Sequence, residues 1–285
     1  MINHLCIIGV GLIGGSLSLA LKKAGYVKKV TGLGRSLGNL QKARKLGVID
    51  QYETDYTKAV SQADMIIVAV PIGAMPEVFK KIVPHLHKHA IVTDAGSAKH
   101  TIIDEAIEIF GTKLNQFVPG HPIAGTEQSG AEAAFDSLYE NRRVILTPLE
   151  ENSVDDINRV RLMWEKAGAE VDEMGARHHD LVLAGTSHLP HVLAFALVDC
   201  LNNVDDVEEI FKYAAGGFRD FTRIASSDPV MWRDICITNS EAILAMMQNY
   251  QQDIDNLKKA IHNADSDELL RIFSNAKKAR DTFCM

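Results

Sequence analysis

The sequence predicts an α/β fold, with a doubly wound parallel sheet over residues 1–175 and an all-helical domain over 176–285. Three observations carry that reading. Short apolar runs alternate with amphipathic stretches through the first half, the pattern of strands and crossover helices. A glycine-rich turn closes the first run, and no strand pattern follows residue 178. The chain, at 285 residues, has the length of two ordinary domains.

The apolar runs lie at 4–8, 30–33, 65–70, 90–93 and 144–147, rich in Val and Ile and each followed by Gly, Pro, Asp or Ser. Continuous rather than alternating apolar character marks strands covered on both faces. Segments 16–24 and 38–46 between them have helical spacing. Residues 154–168 read as the last helix of the first domain, and 170–173 as a final edge strand. Beyond them, 189–201 and 235–260 carry helical spacing, and a last helix over 266–283 starts with a cap at Ser266 or Asp265.

Composition excludes several function classes. Hydrophobic residues make up 46%, enough for a core, and the net charge is −7 with no basic run. Nucleic acid and anionic membrane are therefore not expected partners. No stretch reads as a bilayer span, and the N-terminal apolar residues read as a strand rather than a signal peptide. Cys6, Cys200, Cys236 and Cys284 lack CxxC spacing, so neither a disulfide framework nor a zinc site is expected. Free thiols suit a reducing compartment, and a soluble cytoplasmic protein is the expectation.

Gly9-Val10-Gly11-Leu12-Ile13-Gly14 is a GxGxxG run after a strand and before a helix opening at Ser16. Gly9 allows the tight turn, Gly11 admits a pyrophosphate close to the backbone, and Gly14 lets helix and strand pack closely. With Leu12 and Ile13 they form the expected cofactor loop of a Rossmann-type domain, the helix N-terminus facing the phosphates. The second strand ends in Gly34-Arg35-Ser36, where an NAD site usually has an acid. Arg35 and Ser36 suit a 2′-phosphate, so the cofactor is NADP or NAD, leaning to NADP. Asn39 is near enough to touch the ribose, and Val70-Pro71 ends the third run beside the cofactor.

Four further strings bear chemistry: Asp94–Lys99 (DAGSAK), Gly120–Glu127 (GHPIAGTE), Ser187–His191 (SHLPH) and Gly216–Arg223 (GGFRDFTR), with Trp232 after them. Together they resemble the prephenate dehydrogenase family, which includes the cyclohexadienyl and arogenate dehydrogenases, and the likeness covers nearly the whole chain. It implies a Rossmann domain, a helical dimerisation domain and a homodimer. It also implies oxidative decarboxylation of prephenate to 4-hydroxyphenylpyruvate with NAD(P), in tyrosine biosynthesis. Neither a preceding mutase-like segment nor a following regulatory domain is expected.

The resemblance makes His121 the catalytic histidine and Ser97 the serine that orients it and meets the substrate hydroxyl. It makes Arg223 the arginine that grips the side-chain carboxylate. Arg219, four residues earlier, shares its helical face, and Ser187 and His191 share another. Ser97 also reads as a cap for the helix after Ala98. Pro190 should kink or start a helix, and His188 reads as structural. Trp232 reads equally as a substrate neighbour or a core residue. Neutral Thr126 favours prephenate over the ammonium of arogenate. Histidines 178, 179, 188 and 191 lack HExxH spacing, so no metal is expected. Two rival readings remain. A β-hydroxyacid-type dehydrogenase would use Lys212 and leave GHPIAGTE unexplained; a non-catalytic dinucleotide sensor would not need His121 and Arg223 together.

Overall fold

Four of the five apolar runs become fully buried parallel strands. The computed structural model describes residues 1–283, so Cys284 lies outside the described residues. The first elements are β1 (Leu5–Ile8), α1 (Leu12–Lys23), β2 (Val30–Leu33), α2 (Leu37–Lys45), β3 (Gln51–Glu53), α3 (Tyr56–Val60), β4 (Met65–Val68), α4 (Met75–Ile82), β5 (Ile91–Asp94) and α5 (His100–Phe110). The sheet has the order β3-β2-β1-β4-β5, all parallel. Chain direction across the sheet reverses between β1 and β4, and ligands of open parallel sheets gather at such a switch point. β3 has no counterpart in the sequence reading, because Gln51-Tyr52-Glu53 is a short, half-buried edge strand without an apolar run.

Helical periodicity explains the covering layers. In α4, Met75, Val78, Phe79 and Ile82 are buried at the spacing of one helical face. Phe79 packs edge-on against Phe110 and Phe117, with ring centroids 5.3 and 5.2 Å away.

The run expected at 144–147 is not in the parallel sheet. β6 (Gly120–Ile123), β7 (Arg143–Leu146) and, after α6 (Val154–Lys166), β8 (Glu170–Glu173) form a second sheet of order β6-β7-β8. β7 runs antiparallel to β6 and parallel to β8. An apolar run announces a strand, but its partners come from distant sequence, so local pattern does not assign the sheet. Residues 170–173 do form an edge strand.

From residue 176 the described chain is helical. α7 (Ala176–Leu183), a π turn (Ala184–His188) and α8 (Leu189–Asn202) form one helical rod. Pro190 lies in the first turn of α8, and the π turn before it absorbs the missing N–H that would otherwise break the helix. The rod Ala176–Asn202 has 27 residues, and an 18-residue window within it reaches a mean hydropathy of 1.7, long and apolar enough to cross a membrane by length and composition. This corrects the expectation that no such segment exists. Next come α9 (Val207–Lys212), α10 (Gly216–Thr222), α11 (Pro229–Thr238), α12 (Ser240–His262) and α13 (Ser266–Phe283). The single helix expected over 235–260 is broken at Asn239, whose φ of −111° and ψ of 34° leave the helical region.

Met1–Ser240 packs as one unit. Trp232 and Ile235 of α11 belong to the same buried cluster as Val78 and Phe79 of α4, so the change from strands to helices is not a break in packing. A second unit begins at Glu241. Within it, Asp265 Oδ1 accepts from the Glu268 N–H at 3.0 Å, capping α13. α13 has no buried residue, and Leu270 and Phe273 are exposed on it.

Candidate active site

The glycine loop sits at the C-terminal end of β1. Gly9 has φ +97°, and a Cβ there would lie 2.4 Å from the Ala69 carbonyl oxygen. A Cβ on Gly14 would lie 2.6 Å from both Gly9 O and Ile7 Cγ2, so close helix–strand packing requires glycine. Gly11 faces open space, with nothing within 4 Å of its notional Cβ. α1 starts at Leu12, earlier than the Ser16 expected, so Leu12, Ile13 and Gly14 form its first turn. No side chain caps that turn, leaving its N–H groups for phosphate oxygens. Asn39 Nδ2 donates to the Val10 carbonyl at 2.9 Å, fastening the loop to α2. Ser36 Oγ caps α2 by accepting from the Asn39 N–H at 3.3 Å, and Arg35 is exposed beside it. Val70 and Pro71 follow β4, with Val70 against Gly9. The cradle fits a dinucleotide pyrophosphate.

Next to this loop, β5 ends in a fully buried ion pair between Asp94 and Lys99. Asp94 accepts from the N–H groups of Gly96 at 2.8 Å and Gly120 at 3.0 Å, while Lys99 donates to the Gly120 carbonyl at 2.9 Å. The pair thus ties the Ser97 turn to the start of β6. Ser97 is half-buried, and its hydroxyl has no partner among the described residues. It does not cap α5. The Asp180 carboxylate does, accepting from the Lys99 and His100 N–H groups at 2.8 and 2.9 Å.

His121 stands on β6 itself, buried, not in a loop after a strand. Its Nδ1 lies 2.8 Å from His179 Nε2, and His179 Nδ1 lies 2.8 Å from Asp180 Oδ1. Protons follow from this chain. The Asp180 carboxylate can only accept, so His179 carries its proton on Nδ1 and accepts at Nε2. His121 therefore donates from Nδ1 and keeps a lone pair on Nε2. Burial, with His179, Lys99 and His188 nearby, holds the His121 pKa well below 6.5, so the ring is neutral. Burial also lowers His179, against its hydrogen bond to Asp180. Asp180 stays below the ordinary carboxylate value: burial raises it, but the hydrogen bonds from His179, His100 and Lys99 prevail. The group against His121 Nδ1 is His179, where the resemblance leads one to expect Ser97 beside the ring. Nothing local in the sequence signals that, because α7 meets β6 only in the fold.

The SHLPH string places Ser187 in the π turn and His191 on α8. His191 Nδ1 donates to the Ser187 carbonyl at 2.9 Å, so the two do share a face. The His191 ring stacks on Trp232 at 3.8 Å, and His188 meets the same indole edge-on at 6.1 Å. Arg223 follows α10 and forms an ion pair with Glu127, next to Thr126 at the end of the GHPIAGTE string. Thr126 and Arg219 are exposed, and Thr126 Oγ1 accepts from the Gln128 N–H at 3.2 Å.

Sheet order and glycine cradle place the chain among the dinucleotide-dependent dehydrogenases. The nucleotide-binding domain of prephenate dehydrogenase matches residues 17–173, and the dimerization domain of prephenate dehydrogenase matches residues 175–275. The chain belongs to the prephenate dehydrogenase family. It is 37% identical to a cyclohexadienyl dehydrogenase of Zymomonas mobilis over 98% of this chain and 95% of that protein. A prephenate dehydrogenase of Bacillus subtilis is 35% identical, over 99% of this chain and 76% of the relative. Among solved structures, prephenate dehydrogenase from A. aeolicus in complex with hydroxyphenyl propionate and NAD+ superposes with a TM-score of 0.92 and 37% identity, covering 98% of each chain.

Proposed function

We propose that this chain oxidatively decarboxylates prephenate to 4-hydroxyphenylpyruvate in tyrosine biosynthesis, with NAD(P)+ as oxidant. The observation that carries the reading is the His121–His179–Asp180 chain, which presents a neutral, buried Nε2 lone pair near the dinucleotide cradle. A bound nicotinamide supplies the acceptor for the hydride that leaves ring C4. As C4 gains carbonyl character, His121 Nε2 takes a share of the hydroxyl proton. The C1–carboxylate bond then breaks as carbon dioxide, its electron pair makes the ring aromatic, and the C4 oxygen keeps its proton as the phenol. Ser97, with its unengaged hydroxyl, is the second contact to that oxygen. Arg223 takes the side-chain carboxylate, which has to replace Glu127 on the guanidinium.

Because neutral Thr126 offers no negative charge to an ammonium group, prephenate is preferred to arogenate. Arg35 and Ser36, with no acid between β2 and α2, favour use of NADP at least as well as NAD. The helical half is assigned to homodimer formation, supported by its match to a dimerization domain and by exposed Leu244, Leu270 and Phe273. The decisive assay incubates the purified chain with prephenate or arogenate and each cofactor, following reduced nicotinamide and released carbon dioxide. Equal amounts of both products from prephenate are expected. Absence of turnover with either substrate refutes the reading.

A further inference from the structure

Asn239 breaks the helical run between α11 and α12 and is buried. Its carboxamide nitrogen bridges two groups, lying 2.9 Å from the Asp180 carbonyl oxygen and 3.0 Å from His188 Nδ1. A carbonyl oxygen can only accept, so the nitrogen end of the amide must face Asp180. Its second N–H then points to His188 Nδ1, which has to be a lone pair. His188 is thereby held with its proton on Nε2. That Nε2 is buried beside the Ser97 backbone, whose raising hydrogen bond to the ring can only be to a carbonyl oxygen. With its proton on Nε2, the ring can donate to that oxygen and hold the Ser97 turn next to His121. Burial pushes His188 down to about 4, against a raising interaction with the Ser97 backbone, so the ring is a neutral donor at ordinary pH.

We infer that Asn239 is a positioning residue: by fixing His188 as the Nε2–H tautomer, it makes His188 a hydrogen-bond donor to the Ser97 backbone carbonyl, which sets the Ser97 hydroxyl toward the substrate. The inference rests on the reading of His121 and Ser97 as the substrate-contacting pair. His188 is thus assigned to the site, where its sequence position suggested a structural role. The device parallels the outer partners that fix ring tautomers at metal and catalytic centres, whose loss costs about 10–100-fold.

Two measurements test it in the full-length chain. Long-range proton–nitrogen NMR on protein labelled with nitrogen-15 histidine reads the His188 tautomer directly. The wild type is expected to show Nε2–H, and Asn239→Asp, whose carboxylate can only accept, is expected to invert it to Nδ1–H. Turnover of prephenate should fall about 10–100-fold in that variant while the cofactor constant holds. Should Asn239→Asp not fold, His188→Gln and His188→Leu decide: Gln keeps an N–H near the Nε2 position and retains turnover, whereas Leu loses it by the same factor. An Nδ1–H ring in the wild type, inversion without loss of turnover, or equal turnover of the Gln and Leu variants overturns the proposal. The NMR arm needs no substrate, so it decides the tautomer even where the assignment of prephenate fails.

Discussion

Replacing His179 by Leu should cripple turnover without disturbing cofactor binding. In the folded protein, the His121 Nδ1–H donates to His179 Nε2 across 2.8 Å. With Leu there, the buried donor loses its partner at a cost of about 1–3 kcal/mol. The ring can relieve that cost by moving its proton to Nε2 and donating elsewhere, but this removes the lone pair that the reaction needs. Loss of the competent tautomer by that free energy lowers kcat by roughly 5- to 150-fold. His179→Gln is the control, because its carbonyl oxygen can accept the same N–H and should retain most of the activity. Steady-state kinetics on both variants, at saturating cofactor and with melting curves to confirm folding, make the comparison. If His179→Leu turns over as fast as the wild type, or if Gln and Leu fall equally, His179 does not orient His121 and the proton argument is wrong.

Other perturbations bear on separate parts of the account. Arg223→Ala should raise the KM for prephenate by roughly 10- to 150-fold, the worth of a charged hydrogen bond of about 1.5–3 kcal/mol, and leave the cofactor constant unchanged; a rise confined to the cofactor constant would move Arg223 out of the substrate site. Arg35→Ala should reduce catalytic efficiency with NADP far more than with NAD, and a wild-type preference for NAD that survives the mutation would refute that reading of the loop. His188, buried with a pKa near 4 against the usual 6.5, binds protons less readily folded than unfolded. The unfolded chain therefore takes up more protons between those values, so stability is full above 6.5, falls as pH drops through the window and levels off below about 4. At 1.36 kcal/mol per pH unit the loss is about 3 kcal/mol, and His188→Gln should flatten the pH dependence of the denaturation midpoint over that range.

The cofactor half was legible because its signals are local. Gly14 is dictated by contacts under 3 Å with Gly9 and Ile7 of its own strand–turn–helix unit, and that unit is written contiguously in sequence; Gly9 is dictated by its positive φ and by Ala69 after β4. The apolar strands announced themselves by full burial, whereas β3, polar and at the edge, had no pattern to show. The reacting cluster depends on long-range placement. His121 and His179 are 58 residues apart, and His188 and Asn239 are 51 apart. Neither pairing follows from spacing or propensity. Asp180 is the clearest case: it caps α5 from 80 residues away, where the sequence suggested that Ser97 would do so. Asn239 is neither Gly nor Pro, and the two buried hydrogen bonds its side chain makes at the break reach residues distant in sequence.

The central claim is that His121 Nε2 acts on the C4 hydroxyl during hydride transfer from prephenate. It is tested most directly by pre-steady-state measurement of nicotinamide reduction in His121→Asn with saturating prephenate. A rate lower by about 10²–10⁴-fold is expected, with little change in the prephenate dissociation constant, and a wild-type acid limb well below pH 6.5 that disappears in the variant. A reduction rate equal to that of the wild type would contradict it.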